Sequence, residues 1–321
     1  MNVDLKKKII PAIPGFMYAV CLVFGHSLEK EGSIAYRDGR LWLTILILGI
    51  LLSAVLTVIM KQLQKRLLPK GLEHETGQQI RQVPAGRMTF LYAGIIFLCY
   101  LVVFLGVYPG FFVYDAQDEL MQVITRSFST HHPLFHVLLM GGTEQLIHKL
   151  TGSYNAGIAC YTLLQMAALS LIFGYGIRKL KEEGLGRRGG ILLLAYFGGF
   201  PTIVMFSLCS AKDGLFTGMV LLMVLMLCAF FRDPAGFFQK KGHCACLFLS
   251  SCLMMLLRNN GFYAFFVFVV LLTLLFLKAE WKPCRKKMLL VCAGAMLAFL
   301  VVNKGFALVL HADDSENQEI L

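Results

Sequence analysis

Long apolar runs alternate with short polar segments along most of the chain. A run of about 20 apolar residues is long enough for a helix to cross a bilayer. The pattern predicts nine spans, at 9–27, 41–60, 89–108, 155–177, 189–211, 214–231, 243–257, 261–277 and 288–310. Because such runs are too long for barrel strands, the predicted fold is all-α. We expect a polytopic membrane protein of about nine transmembrane helices, with amphipathic juxtamembrane helices in an external loop.

Composition and charge distribution support a membrane protein rather than a nucleic-acid-binding one. Of the 321 residues, 57% are hydrophobic and 15% are charged, and the formal net charge is +11. The sequence places 22 of its 30 basic residues in five clusters, at 6–8, 61–87, 178–188, 232–241 and 278–287. Basic clusters that recur between spans are typical of cytoplasmic loops, whereas nucleic acid requires one continuous basic surface. We therefore predict a cell-membrane protein with a cytoplasmic N-terminus and no nucleic-acid partner.

The segment 133–150 decides the orientation of everything after it. If it crossed the membrane, the basic loop 178–188 would lie outside; if it lies on the outer surface, every basic cluster lies inside. Three of its polar residues share one helical face, namely His136, Glu144 and His148. The glycine pair 141–142 interrupts the apolar run. These features predict an interfacial or re-entrant helix.

This topology divides the chain into four parts. We predict an N-terminal transmembrane hairpin at 1–60, a basic cytoplasmic loop at 61–88, a membrane core at 89–310 with an external loop at 109–154, and an acidic external tail at 311–321. The topology follows from the basic loops alone, and it also gathers the unusual polar motifs on the external face. Those motifs contain Asp115, Asp118, Glu119, His131, His132, Lys212, Asp213, Arg258, Asn259 and Asn260.

The external loop holds the main candidate for chemistry, since charged groups near a bilayer are costly and mark functional sites. On a helix over 115–128, one face carries Asp115, Asp118, Glu119, Gln122 and Arg126. The opposite face carries Leu120, Met121, Ile124 and Phe128. Such a helix lies on the membrane with its acids toward water or a cleft. The alternative is the solvated face of an ordinary surface helix.

The metal-site and basic motifs each have a structural alternative. His132 and His136 have the helical i, i+4 spacing of zinc ligands, but the Glu of an HExxH motif is absent, which argues against an intramembrane zinc protease. No metal or other cofactor is predicted. A divalent cation held by Asp115, Asp118 and Glu119 remains an alternative. Lys212 with Asp213 can be a helix cap or membrane anchor, and the stretch from Arg258 can be a polar turn.

The order of these motifs resembles the GT-C class of membrane glycosyltransferases, which includes protein mannosyltransferases and aminoarabinose transferases. The matching features are an acidic motif in the first external loop (Asp115, or Asp118 with Glu119), the His132-Pro133 step, Asp213 at the outer end of a span, and Arg258 with Gly261. The resemblance covers about 89–278. An extra hairpin precedes the similar part, and the external soluble domain common in the class is absent.

The resemblance implies transfer of a sugar from a polyprenyl-phosphate carrier to an acceptor at the outer face of the membrane. Catalysis would then fall to Asp115, with Asp118 and Glu119 as the other candidates. Binding of the lipid-linked donor would fall to His131, His132, Lys212, Asp213, Arg258 and Asn259. Two alternatives stay open: a transporter or flippase of lipid-linked envelope precursors, and a non-catalytic membrane component of envelope assembly.

Overall fold

A computed structural model describes residues 3–67, 85–113, 115–277 and 282–313. Thirteen α-helices occur in these ranges, and the remaining regular structure there consists of two isolated β-bridges. The helices are α1 (Val3–Glu31), α2 (Gly39–Leu67), α3 (Ala85–Gly106), α4 (Ala116–Thr125), α5 (Leu134–Thr151), α6 (Tyr154–Glu182), α7 (Arg187–Gly199), α8 (Pro201–Leu208), α9 (Lys212–Arg232), α10 (Pro234–Gln239), α11 (Lys241–Leu257), α12 (Asn259–Leu275) and α13 (Lys282–Val309). The predicted all-α fold is confirmed.

Length and hydropathy identify the helices that can cross a membrane. Six qualify among the described residues, namely α1, α2, α3, α6, α9 and α13, and the bent pair of α7 and α8 gives up to seven. Helices α11 and α12 are also apolar but have 17 residues each, so they fall short of the usual spanning length of about 20 residues. The chain is a multi-pass helical membrane protein.

The predicted span at 189–211 is divided between two helices. Helix α7 ends at Gly199 and α8 begins at Pro201, with a 50° bend between them. Proline has no backbone N–H and its ring clashes with the preceding turn of a helix, so Pro201 starts a new helix instead of continuing the old one.

The glycine pair 141–142 lies within one continuous helix. Helix α5 runs through both glycines without a break, and it is not among the helices long and apolar enough to span. The first glycine has a packing role: a Cβ on Gly141 would lie 2.9 Å from a Val123 methyl and 3.2 Å from the Glu119 carbonyl oxygen. Helix α4 therefore packs against α5 at this position.

Two compact units account for the chain. The first comprises Met1–Gln78 and Gly184–Gly189; in it α1 packs on α2, and Ser53 donates a hydrogen bond to the Ala12 carbonyl. The predicted hairpin boundary at 60 lies inside α2. The second unit comprises Gln79–Glu183 and Gly190–Leu321. Parts of five predicted segments lie outside the described residues: 1–2 of the hairpin, 68–84 of the basic loop, 114 of the external loop, 278–281 of the last basic cluster, and 314–321 of the tail.

Within the second unit, the basic residues of different loops lie at the same end of the helices. Arg178 and Lys181, late in α6, donate to Thr89 and Tyr92, early in α3. Arg232, at the end of α9, pairs with Glu183, next to the end of α6. These contacts connect the basic clusters 178–188 and 232–241 and place the first of them beside the start of α3.

The opposite end of the second unit carries the loops between α3 and α5. There Phe128 packs against the last turns of α13, and Asp313 forms a β-bridge with Ser129. Helix α9 begins at this end with Lys212 and finishes at the basic end with Arg232. The unusual polar residues of the external loop and of the α9 start are thus a full helix length from the basic clusters.

Candidate functional site

A sharp turn after α3 brings the loop before Asp115 next to the start of α9. Phe111 donates its N–H to the Leu208 carbonyl, and Ser210 donates its N–H to the Phe111 carbonyl. The turn depends on Gly110, whose φ is +117° and whose hydrogen atoms leave room for Thr162: a Cβ there would lie 2.5 Å from the Thr162 hydroxyl oxygen. Only glycine adopts this backbone without strain.

Helix α4 differs from the predicted amphipathic helix in the direction of its acids. Asp118 is exposed, whereas the neighbouring Glu119 is only 1% exposed. The inner face of α4 is set by its packing on α5 and contains Ala116, Glu119 and Leu120. The prediction that Glu119 and Asp118 share one helical face, directed toward water or a cleft, is therefore wrong.

A cluster of charged groups forms around the Lys212 ammonium. The Lys212 Nζ lies 2.9 Å from Asp115 Oδ2 and 3.3 Å from His132 Nδ1. Lys212 is 8% exposed and His132 is 4% exposed. Because an ammonium group only donates, His132 Nδ1 is the acceptor and carries no proton. His132 is therefore the neutral tautomer with its proton on Nε2.

The electrostatics of the cluster keep Asp115 ionised. Partial burial works to raise the pKa of Asp115, but the hydrogen bond and charge of Lys212 outweigh it, so the pKa lies below its usual value. Burial and the Lys212 charge lower the pKa of His132, against smaller opposing effects of Glu119 and Asp115. A carboxylate, an ammonium and a neutral imidazole thus meet at the start of α9.

A chain of buried hydrogen bonds leads from this cluster into the helices. Glu119 Oε2 lies 2.5 Å from His136 Nδ1, and His136 Nε2 lies 2.8 Å from the Tyr161 hydroxyl. Tyr161 donates to Gln165 Oε1 over 3.1 Å. Gln165 Nε2 in turn donates to backbone carbonyls in the last turn of α8 and just after it. The four side chains are each at most 2% exposed.

Glu144 is a second buried acid beside this chain. Its side chain is fully buried, and neither carboxyl oxygen has a hydrogen-bond partner among the described residues. Burial, with a smaller effect of the Glu119 charge, raises the pKa of Glu144 to about 8. An acid in this environment is protonated at neutral pH. The shared helical face of His136 and Glu144 was recognised in the sequence, but their place beside the site was not.

The remaining predicted residues have separate contacts. Arg258 pairs with Asp213 over 2.6 Å, and both side chains are about half exposed. The Asn259 amide donates to the carbonyls of Thr130 and His131, at 3.2 Å each. Asn259 therefore holds the loop that carries His132, instead of facing a ligand with its amide donors.

Three of the clustered residues have the donor types of a divalent-cation site. Ligand atoms of Asp115, Glu119 and His132 all lie within 4.8 Å of one another, and carboxylate and imidazole groups bind such ions. Two of the three already bond to the Lys212 ammonium, so a metal ion would have to displace it. The alternative set of Asp115, Asp118 and Glu119 is not formed, because Asp118 lies on the exposed face of α4.

The sequence reasoning missed Tyr161, Gln165 and the pairing of Asp115 with Lys212. Tyr161 and Gln165 are spaced i, i+4 inside an apolar span, so they share one helical face. Polar side chains at that spacing within a span indicate a buried hydrogen-bond network, and this was the available signal. The pairing of Asp115 with Lys212 had no signal, since 97 residues separate the two.

One comparison with known proteins gives a result. A family model described as a family of unknown function, DUF6020, matches residues 120–319. The match includes Lys212, His132 and the Tyr161–Gln165 pair but begins after Asp115 and Glu119. No curated protein and no solved structure matches the chain.

Proposed function

We propose that this chain, which belongs to the DUF6020 family of unknown function, is a membrane glycosyltransferase. It transfers a sugar from a polyprenyl-phosphate carrier to an acceptor at the outer face of the cell membrane. The observation that carries the proposal is the ion pair of Asp115 with Lys212, part-buried at one end of a bundle of apolar helices. Catalytic acids and bases have perturbed pKa values of this kind.

An apolar cavity, lined in part by residues that are close in sequence to Asp115 and Lys212, supports a donor with a lipid tail. Its volume is about 330 Å³, and it is lined by Phe111, Val113, Met205, Phe206 and Cys209. Val113 is two residues from Asp115 in the chain, and Cys209 is three from Lys212. A ligand with an apolar chain and an anionic head suits an apolar cavity next to a basic group.

The proposed reaction uses Asp115 as the general base. The acceptor hydroxyl oxygen attacks the anomeric carbon, the bond from that carbon to the phosphate oxygen breaks, and the polyprenyl phosphate leaves with the electron pair. The Asp115 carboxylate receives the hydroxyl proton as the new bond forms. Its lowered pKa keeps it ionised, which is the form that can accept a proton.

The basic residues stabilise the departing phosphate in this mechanism. An ammonium group has three donors, and Lys212 uses two of them on Asp115 and His132. The third is available to a phosphate oxygen. Arg258, held at the same end of the helices by Asp213, adds a planar guanidinium that matches phosphate geometry.

The orientation belongs to the same proposal. Counting the bent pair as one span and adding α11 and α12 to the six long helices agrees with nine spans, a cytoplasmic N-terminus and an external site. The positive-inside distribution of basic residues favours this direction. In the second unit, basic residues from different loops lie at the same end of the helices. This arrangement is compatible with a cytoplasmic location for that end.

A proton-coupled transporter of lipid-linked precursors is the second candidate, because Glu144 is buried and protonated at neutral pH. Buried acids of this kind serve as proton carriers in transporters. A transporter would move the lipid-linked sugar without breaking its bond to phosphate. The chemical fate of the donor therefore separates the two functions.

The test is a transfer assay with the full chain in lipid nanodiscs, using polyprenyl-phosphate sugars and mass spectrometry of the products. The donors would be chosen by comparing the envelope glycans and lipids of cells with and without the protein. We expect Asp115→Asn to lower transfer about 100-fold, as for loss of a general base, and the exposed Asp118→Asn to leave it unchanged. Equal transfer in wild type and Asp115→Asn would overturn the mechanism, and an intact donor moved between leaflets would favour transport.

A further inference from the structure

We infer that the hydrogen bond between Glu119 and His136 contains a proton in addition to the one on His136 Nε2. Gln165 is the positioning residue that keeps both protons in place. It acts through Tyr161, without touching either residue of the pair. The inference comes from assigning a donor and an acceptor to each contact of the buried chain. The proton count does not depend on the proposed function; its consequence for sugar transfer rests on that function.

The orientation of the Gln165 amide is the first step. Its nitrogen lies 3.1 Å from the Phe206 carbonyl oxygen, 3.2 Å from that of Ser207 and 2.7 Å from that of Cys209. Carbonyls at the end of α8 have no partner within the helix and need donors. An amide oxygen in that position would face three acceptors, so the amide cannot be turned around. Gln165 Oε1 must therefore face Tyr161.

The direction of the next bond follows from the first. An amide oxygen only accepts, so the single hydroxyl proton of Tyr161 is donated to Gln165 Oε1. The Tyr161 oxygen then has no proton left for His136 and must accept from it. The 2.8 Å contact is thus an N–H of His136 Nε2 donated to Tyr161.

The hydrogen bond between His136 Nδ1 and Glu119 Oε2 then contains a proton as well. With Nε2 protonated, a neutral His136 would carry no proton on Nδ1, yet Nδ1 lies 2.5 Å from Glu119 Oε2. Two bare acceptors at that distance repel, so one proton lies between them. It is on Nδ1, giving an imidazolium with a carboxylate, or on Oε2, giving a neutral imidazole with a carboxylic acid. The net charge of the pair is zero in both cases.

A neutral pair has a consequence for the charged cluster next to it. A carboxyl oxygen of Glu119 lies within 4.8 Å of Asp115, and an uncompensated negative charge so close would favour protonation of Asp115. The proton held with His136 compensates that charge. Asp115 is then the carboxylate of the two whose charge is left to pair with the Lys212 ammonium. The proposed reaction requires this ionised state of Asp115.

The direct test is the protonation of His136 Nε2, read by ¹⁵N solid-state NMR of the histidine-labelled full chain in lipid bilayers. Protonated and bare imidazole nitrogens give well-separated signals, and a His136→Gln sample identifies the His136 signal by its disappearance. We expect a protonated Nε2 in the wild type. A bare Nε2 in the wild type would overturn the inference.

Two variants test the part played by Gln165. In Gln165→Leu, the Tyr161 hydroxyl has lost its acceptor and turns to donate to His136, so we expect Nε2 to lose its proton. The matched control is Gln145→Leu, which removes another tyrosine-to-glutamine bond, from Tyr154 at 3.2 Å, and should leave the His136 signal unchanged. A protonated Nε2 that persists in a folded Gln165→Leu protein would overturn the role of Gln165. If His136→Gln does not fold, the signal that shifts in Gln165→Leu but not in Gln145→Leu identifies His136.

The effect on transfer is a separate readout. We expect Gln165→Leu to lower sugar transfer about tenfold, as for loss of one well-placed hydrogen bond, with Gln145→Leu near wild type. A protonated Nε2 in a wild-type protein that transfers no sugar would remove the proposed function and leave the proton inference intact.

Discussion

The ammonium of Lys212 and the carboxylate of Asp115 are 2.9 Å apart, although 97 residues separate them in the chain. The lysine side chain is 10% exposed and the aspartate side chain is 47% exposed. The two charges thus have different surroundings: the lysine has little water to solvate it, whereas the aspartate keeps half of its hydration. Loss of the aspartate leaves a nearly buried charge without compensation, which is the more costly defect.

Double-mutant analysis tests this asymmetry. We expect Asp115→Asn to lower the free energy of unfolding by about 1–3 kcal/mol, because it leaves the Lys212 ammonium without its counter-charge. Lys212→Met should cost less, since the half-exposed Asp115 regains solvation. The double variant should be more stable than the sum of the single effects predicts. Reversible denaturation of the detergent-solubilised protein provides the measurement, with the exposed Lys149→Met as control; additive effects would contradict the coupling.

Glu144 predicts a specific dependence of stability on pH. Its folded pKa is raised from 4.5 to about 8, so folding takes up a proton between those values. The stabilising effect of the protonated acid is complete below pH 4.5 and is lost as the pH rises to about 8, at up to about 1.4 kcal/mol per pH unit.

The variant Glu144→Gln should lack this loss, because an amide does not ionise. We expect its free energy of unfolding, relative to wild type, to increase steadily from about pH 5 to about pH 8 and then to level off. The exposed Asp118→Asn serves as a control and should show no such trend. Parallel pH profiles for wild type and Glu144→Gln would mean that Glu144 is not a buried neutral acid.

The sequence predicted the apolar helices well because hydropathy is a local property. It failed where packing decides the outcome. The direction of Glu119 is set by the face of α4 that meets α5, and a helical wheel cannot tell which side of a short helix has a partner. The break at Pro201 has a local signal, because proline does not continue a helix, whereas the apolar content of 189–211 by itself predicts one span.

The candidate site was predictable in part. Polar residues within apolar surroundings identified Asp115, His132 and Lys212 separately, and charge bias placed them on one side. Their bonds to one another were not predictable, because one sequence contains no information on contacts between distant segments. Tyr161 and Gln165 were overlooked since neither is charged.

Alanine substitutions of Gly110, in the turn before Asp115, and of Gly142, within α5, should have opposite effects on stability. Gly110→Ala should destabilise the protein by about 1–3 kcal/mol, because an alanine is strained at a φ of +117° and its Cβ would overlap Thr162. Gly142→Ala adds a methyl group in open space within α5 and should stabilise by about 0.5–1 kcal/mol. Denaturation of both variants checks the pair. A neutral Gly110→Ala would show that the turn is not constrained as described.

The orientation can be tested by labelling single cysteines in a background from which the ten native cysteines have been removed. Ser127, which follows α4, and Lys240, which follows α10, are both exposed and lie at opposite ends of the second unit. If the positive-inside distribution sets the topology, Ser127→Cys reacts with a membrane-impermeant maleimide in intact cells, and Lys240→Cys reacts only after permeabilisation. Ser127 is preferred to the adjacent Phe128, whose side chain is 9% exposed. The reverse pattern would place the Asp115–Lys212 cluster in the cytoplasm, where an acceptor on the outer face could not reach it.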